Sequence, residues 1–126
     1  MNRTGRPVSP HATIYAFPVA AISSITTRLT GVALSFGCLG LGGLDLFYGA
    51  GSSLELMQSI GSSGVLVAYP AKLAVAFPVV YHSLGGLRHF VYDYFPEKVL
   101  NNEAVPKSSV ALIGASGVLS LGLMIV

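Results

Sequence analysis

Three long apolar tracts, each almost free of charge, dominate the pattern of hydrophobic and polar positions along the chain. The first, residues 29–44, contains no charged residue and covers about 24 Å as a helix, so its apolar flanks bring it to spanning length. The last follows Pro106, and proline is a normal residue at a helix start. The pattern predicts an all-α membrane protein with three transmembrane helices, at about 22–49, 65–93 and 106–126.

Two further segments complete the predicted fold. The N-terminal "RPVSPHATIY", residues 6–15, contains two prolines and predicts an extended segment rather than a helix. The middle apolar tract is too long for one crossing, and we expect its first part, near 53–63, to form a short interfacial helix between the first two spans. Residues 1–126 are taken as a single membrane domain.

The composition agrees with a membrane protein and argues against other classes. Hydrophobic residues make up 52% of the chain and charged residues only 10%, against roughly 25% charged in soluble domains. The only cysteine, Cys38, excludes an internal disulfide and a self-contained iron–sulfur cluster, and we expect it to be a small buried residue. A net charge of +2 without a basic run argues against nucleic acid and leaves membrane lipids as the expected surroundings.

The distribution of basic residues orients the predicted spans. Six of the seven precede the first span or lie at the junction of the second and third: Arg3, Arg6, Arg28, Arg88, Lys98 and Lys107. Because loops on the inner side of a membrane carry an excess of positive charge, we expect the N-terminus inside and the C-terminus outside. Lys72 is the exception, and we expect it close to the outer surface.

The segment "YHSLGGLRHFVYD", residues 81–93, places polar side chains on the second span. At about 100° per residue, one stripe of this helix carries His82, Gly86, His89 and Asp93. His82 lies roughly 15 Å from Lys72 along the helix axis, which puts it near the middle of the bilayer. An ionisable side chain at that depth is costly and indicates a functional site.

Three interpretations of His82 remain open. The side chain hydrogen-bonds a neighbouring helix, belongs to a proton relay or carrier site, or ligates a haem iron. The proton interpretation lacks a second carboxylate within the spans. Haem ligation is favoured, because imidazole is a common iron ligand and Gly86, one turn on, lacks the side chain that would collide with a macrocycle.

A haem at His82 would require cations for its propionates. Arg28, Arg88 and His89 lie at the inner ends of the predicted helices, where the propionates would point. His89 fits a propionate partner better than an iron ligand, since one haem does not reach two imidazoles two turns apart on one helix. The second axial ligand must come from another polypeptide or be absent.

The start of the first span, "SSITTRLTG", residues 23–31, has a polar face formed by Ser24, Thr27, Arg28 and Gly31. Hydroxyls and a guanidinium at a membrane surface can hold a quinone carbonyl, with Arg28 stabilising the negative charge that builds up on reduction. The alternative is ordinary helix capping by Ser23 or Ser24, with threonines bonding back to the helix and Arg28 reaching lipid headgroups. The spacing does not distinguish the two.

These three segments together resemble the large cytochrome b membrane-anchor subunits of succinate dehydrogenase, which is also called succinate:quinone oxidoreductase or respiratory complex II. The segment 81–93 matches the pattern H-x-x-x-G-x-R-H-x-x-x-D of that family completely. The segments 6–15 and 23–31 precede it in the same order as in the family, and the three-span hydropathy also fits.

The resemblance implies a role for each matching residue. His82 would be an axial ligand of haem b, Ser24 and Arg28 would line the ubiquinone site, and His89 would lie near the haem propionates. Thr27 stands where the family often has histidine, so a role of that histidine in proton delivery or propionate binding does not carry over.

The resemblance also implies partners. A second small membrane-anchor subunit would supply the other haem ligand, a flavoprotein subunit would oxidise succinate, and an iron–sulfur subunit would pass electrons to ubiquinone. The chain alone would not oxidise succinate. The alternative is a haem-free anchor that assembles the complex and shapes the quinone pocket, and a stand-alone proton-coupled carrier is more distant. We expect the mitochondrial inner membrane with a matrix N-terminus, or a bacterial plasma membrane with a cytoplasmic one.

Overall fold

The computed structural model describes residues 5–126, and within that range it contains helices and no strand. The helices are α1 (Val19–Tyr48), α2 (Ser52–Ser62), α3 (Val65–Tyr94), α4 (Pro96–Val99) and α5 (Ala104–Ile125). Three of them, α1, α3 and α5, are long and apolar enough to cross a membrane. The predicted all-α fold with three spans is confirmed, and α2 is the short helix expected between the first two.

The three long helices pack side by side in antiparallel order. Ser23, near the start of α1, contacts Tyr81 and Arg88 in the second half of α3. Tyr92, near the end of α3, contacts Ser108 near the start of α5. The start of α1, the end of α3 and the start of α5 therefore meet at one end of the bundle, which we call the basic end.

The basic end is defined by the cations of its helices and their connection, Arg28, Arg88, Lys98 and Lys107. Lys72 lies in the second turn of α3, toward the opposite end. This grouping is the one that the positive-inside argument used, although Arg3 lies outside the described residues. The side of the membrane that each end faces stays a prediction.

The first helix begins earlier than the sequence pattern suggested. Pro18 is its N-cap, with an extended ψ of 149°, and α1 starts at Val19 rather than near residue 22. Ser23 and Ser24 therefore lie inside the helix, and the alternative interpretation in which one of them caps it is wrong. The threonine hydroxyls do bond back to the helix, with Thr27 Oγ1 donating to the carbonyl of Ser23 at 3.0 Å.

The N-terminal segment is exposed and lacks a long helix, as expected. It is not extended throughout, because His11–Ile14 form one turn of 3₁₀-helix. In this turn the Thr13 hydroxyl donates to the carbonyl of Pro10 at 2.5 Å. A local side-chain bond of this kind stabilises a turn that the two prolines alone did not predict.

Few side chains of the isolated chain are buried. Among the described residues, the buried hydrophobic ones are Ala68, Tyr81 and Leu112. Cys38 is exposed, so the prediction that it is buried is wrong, because no other helix covers its part of α1. Most of the apolar surface of the three long helices is left for lipid or for another protein.

Candidate functional site

Two faces of α3 differ sharply in exposure. The predicted polar stripe is open: His82, His89 and Asp93 are exposed and Gly86 is half-buried. The adjacent stripe, which packs against the other long helices, is formed by Tyr81, Gly85, Arg88 and Tyr92. The candidate ligand face is thus available to a partner, and α3 is fixed by its other face.

The imidazole of His82 has a defined orientation. Its Nδ1 lies 3.0 Å from the backbone carbonyl oxygen of Thr27 on α1. A carbonyl oxygen only accepts hydrogen bonds, so Nδ1 carries the proton and donates it. In a neutral ring the lone pair is then on Nε2, which has no hydrogen-bond partner among the described residues.

Gly86 leaves room on the open face of α3, one turn beyond His82. A Cβ atom built on Gly86 would meet no other atom within 4 Å. The surface of α3 at this position is therefore uncovered. A planar ring system or the backbone of another helix can approach it closely.

The predicted polar face of α1 divides into two parts. Thr27 and Gly31 contact α3, since Thr27 lies against Gly85 and Gly31 lies against the His82 ring. Ser24 is half-buried and Arg28 is exposed, and neither side chain hydrogen-bonds any other residue of 5–126. These two side chains are therefore free to bind a ligand beside the first turns of α1.

Arg88 connects the three long helices through side-chain hydrogen bonds. Its Nη1 donates to Ser23 Oγ at 2.8 Å and its Nε donates to the Tyr92 hydroxyl at 2.7 Å. The Tyr92 hydroxyl is in turn 2.6 Å from Ser108 Oγ on α5. Tyr81 adds a bond of 3.3 Å from its hydroxyl to the carbonyl of Ser23.

This network was not predicted from the sequence. The spacing of Tyr81, Arg88 and Tyr92, at i, i+7 and i+11, is a helical stripe that would have indicated it. The sequence pattern indicates Ser23 only as a possible helix cap and indicates no role for Ser108. Because the guanidinium of Arg88 is half-buried and engaged, it is less available to an anionic ligand than the exposed side chain of Arg28.

His89 lies at the basic end with its side chain exposed. Its ring makes an edge contact with Tyr92, with 6.2 Å between the ring centroids. No group of three or more His, Cys, Asp or Glu side chains within residues 5–126 is arranged to hold a metal ion.

Comparison with known protein families matches residues 2–123 to the succinate dehydrogenase/fumarate reductase transmembrane subunit. This match covers nearly the whole chain. The chain belongs to this family. The resemblance drawn from the three sequence segments is confirmed, and the family agrees with the three helices of spanning length.

Named relatives from this family are similar along most of the chain. The succinate dehydrogenase cytochrome b560 subunit of Dictyostelium discoideum is 37% identical over 96% of this chain and 58% of its own length. The pig subunit is 37% identical over 95% of this chain and 70% of its own length. The cytochrome b556 subunit of Paracoccus denitrificans is 35% identical over 100% of this chain and 95% of its own length. The chain thus spans little more than half of the first of these relatives.

Proposed function

We propose that this chain is a membrane-anchor subunit of a succinate:quinone oxidoreductase. In this role it binds haem b together with a second small membrane-anchor subunit and contributes to the site at which ubiquinone is reduced. The family match and the cytochrome names of the relatives support this proposal. The observation that carries it is the open, oriented imidazole of His82.

The residues around His82 fit a haem. The proton on Nδ1 is engaged by the Thr27 carbonyl, which leaves the Nε2 lone pair for iron. Gly86 leaves open space on the same face of α3. When bound, haem b supplies a centre that accepts and releases single electrons. This chain would provide His82 as one iron ligand and one wall of the site, and the partner subunit would provide the second ligand.

Cations at the basic end would bind the haem propionates. Arg28 and His89 are exposed there, and Arg88 lies between the helices beside them. Charge-assisted hydrogen bonds to carboxylates are the strong ones in proteins, and an arginine makes them with a fixed geometry. We assign Arg28 and His89 the larger part of this role, because Arg88 is already bonded to Ser23 and Tyr92.

The quinone site is proposed at the first turns of α1. The free hydroxyl of Ser24 donates to a quinone carbonyl, and the guanidinium of Arg28 stabilises the negative charge that develops on reduction. Thr27 contributes by position rather than by its hydroxyl, since Thr27 Oγ1 is bonded to the carbonyl of Ser23.

The partners and the location follow from the same assignment. A flavoprotein subunit oxidises succinate and an iron–sulfur subunit carries the electrons to the quinone at the basic end. The relatives from Dictyostelium and pig are named as mitochondrial, which supports the inner mitochondrial membrane with the N-terminus in the matrix. The Paracoccus relative supports the equivalent plasma-membrane arrangement in a bacterium.

One observation favours a second candidate, a haem-free anchor. The bond from His82 to the Thr27 carbonyl also joins α3 to α1, and an interhelical hydrogen bond is by itself a sufficient role for a histidine in a membrane. In that case the chain would assemble the complex and shape the quinone pocket without binding a metal.

A reduced-minus-oxidised absorption spectrum of the purified complex separates the two candidates. We expect a b-type signal from the unmodified complex, loss of that signal in His82→Ala, and no loss in the control His11→Ala, which alters an exposed N-terminal histidine. An unmodified complex without the signal would favour the haem-free anchor. A full signal in His82→Ala would remove His82 as the ligand.

A further inference from the structure

The ring of His82 lies directly against the backbone of α1 at Gly31. A Cβ atom built on Gly31 would be 2.6 Å from Cε1 of the imidazole and 3.1 Å from its Nδ1. Non-bonded carbon atoms make their best contact at about 3.5–4.0 Å. The imidazole therefore occupies the space that any side chain at position 31 would need.

The contact at Gly31 is specific to the imidazole. The three atoms nearest to the built Cβ all belong to the ring of His82, and none belongs to the backbone of a neighbouring helix. The ring, rather than the backbone of a neighbouring helix, is therefore the first group that a side chain at position 31 would meet. By contrast, a Cβ on Gly37, further along the same helix, would meet nothing within 4 Å.

The same contact controls the hydrogen bond of the ring. Thr27 is one helical turn before Gly31, and its carbonyl accepts the Nδ1 proton of His82 at 3.0 Å. The hydroxyl of Thr30 is 2.9 Å from the carbonyls of both Thr26 and Thr27, so it can donate to Thr26 and leave Thr27 to the imidazole. A ring moved outward by a methyl group at position 31 would lose this bond.

We propose that Gly31 is a positioning residue for the haem ligand: its missing side chain lets the imidazole of His82 lie on α1 and donate from Nδ1 to the Thr27 carbonyl. This inference rests on the proposed haem function. A bonded Nδ1 fixes the tautomer that exposes Nε2 and makes the imidazole a stronger donor to a metal. A stronger donor favours the ferric state and lowers the reduction potential of the haem.

The test compares Gly31→Ala with the control Gly37→Ala in the purified complex. Three properties are measured: haem content per complex, the electron paramagnetic resonance g-values of the ferric haem, and the haem midpoint potential. We expect Gly31→Ala to lose haem, or to retain it with shifted g-values and a higher potential. Gly37→Ala is expected to match the unmodified complex in all three.

The outcomes separate this inference from the proposed function. If His82→Ala abolishes the haem signal while Gly31→Ala leaves haem content, g-values and potential unchanged, the role of Gly31 is wrong and the haem function stands. If His82→Ala keeps the haem signal, His82 is not the ligand, and the haem site proposed above, on which this inference rests, is wrong.

A variant that does not accumulate is also informative. In that case Gly31→Ala is combined with His82→Ala, which removes the ring that the new methyl group strikes. We expect the double variant to accumulate above the level of Gly31→Ala alone, as judged by the amount of assembled complex. A double variant that accumulates no better would overturn the proposal.

Discussion

Arg28 and Ser24 are the polar side chains on which the quinone proposal depends. Both lie in the first turns of α1, and neither bonds another residue of the described range. Their neighbours Ser23 and Thr27 are engaged in packing α1 against α3. The polar run 23–31 therefore has packing contacts with α3 on one side, and on the other side the two polar side chains to which we assign quinone binding.

Replacing Arg28 by alanine should impair the quinone reaction selectively. Hydrogen bonds to charged groups contribute about 1.5–3 kcal/mol, so we expect succinate-dependent quinone reduction to fall on the order of 10-fold or more. Succinate oxidation by an artificial acceptor, which does not use the quinone site, should change little. The two rates are measured on the same purified complex.

Lys98→Ala is the control for Arg28→Ala, because it removes an exposed cation from the connection between α3 and α5. It should leave both rates near those of the unmodified complex. An equal fall of both rates in Arg28→Ala would contradict the assignment, since it would mean that assembly rather than quinone binding is damaged.

His82 could be found from the sequence because an ionisable side chain deep in an apolar helix has few explanations. The hydrogen-bond partner of its ring could not be found in this way. The acceptor is the backbone carbonyl of Thr27. Every residue has a backbone carbonyl, so the sequence does not indicate which one accepts the bond. Gly31 was recognised only as a small residue on a polar face, because its contact depends on how α1 and α3 are rotated against each other.

Side-chain hydrogen bonds centred on Arg88 connect the three long helices at the basic end, and we call this set of bonds the joint. Arg88 bonds Ser23 on α1 and Tyr92 on α3, and Tyr92 passes the connection to Ser108 on α5. Hydrogen bonds between membrane helices contribute about 0.6 kcal/mol on average. The joint is thus a moderate contribution to stability that also sets the register of the three helices.

Removing this joint should destabilise the complex. We expect Arg88→Ala to cost about 1–2 kcal/mol, because the interhelical bond to Ser23 and the bond to Tyr92 are both lost, and the buried Ser23 Oγ keeps only the longer bond from the Tyr81 hydroxyl, at 3.3 Å. Tyr92→Phe removes the hydroxyl that links α3 to α5 and should cost about half as much. The measurement is the thermal inactivation midpoint of the purified complex in detergent.

Lys107→Ala provides the comparison for Arg88→Ala. It removes a cation of the same end whose ion pair with Glu103, at 3.3 Å, is exposed and therefore worth little. Its midpoint should match the unmodified complex. If Arg88→Ala leaves the midpoint unchanged as well, Arg88 does not act as a joint, and binding the haem propionates becomes its main role.

Helix number and approximate length follow from hydropathy because a span must satisfy its backbone internally and cover the hydrocarbon core. Hydropathy does not show which face of each helix packs against its neighbours. In a membrane, lipid and neighbouring helices are equally apolar, so hydropathy does not distinguish the buried Leu112 from the exposed Leu119 of α5. The early start of α1 was missed because Pro18, rather than a serine, caps it.

Residues 5–126 form an open bundle that leaves most of the surface of its long helices uncovered. The exposed stripe of α3 with His82 and the exposed face of α1 with Cys38 lie uncovered in the isolated chain. The sequence indicated that a partner is needed, since three helices expose most of their sides. How a partner covers these faces is a property of the assembly, so the sequence of one chain does not contain it.

The orientation of the bundle can be tested by labelling cysteines from each side of the membrane. In a Cys38→Ser background, Asn101→Cys places a thiol in the exposed loop between α4 and α5, and Ser63→Cys places one between α2 and α3. We expect an impermeant maleimide to label position 101 only from the inner side and position 63 only from the outer side. The reverse result would invert the topology and move the quinone site to the wrong side.

The central claim, that this chain anchors a succinate:quinone oxidoreductase, is tested most directly by the chains that accompany it. The tagged protein is purified from its native membrane in mild detergent, and its partners are identified and quantified by mass spectrometry. We predict a flavoprotein, an iron–sulfur protein and a second small membrane protein in equal amounts, with succinate-dependent quinone reduction in the same fraction. A chain that purifies without a flavoprotein or iron–sulfur protein would contradict the account.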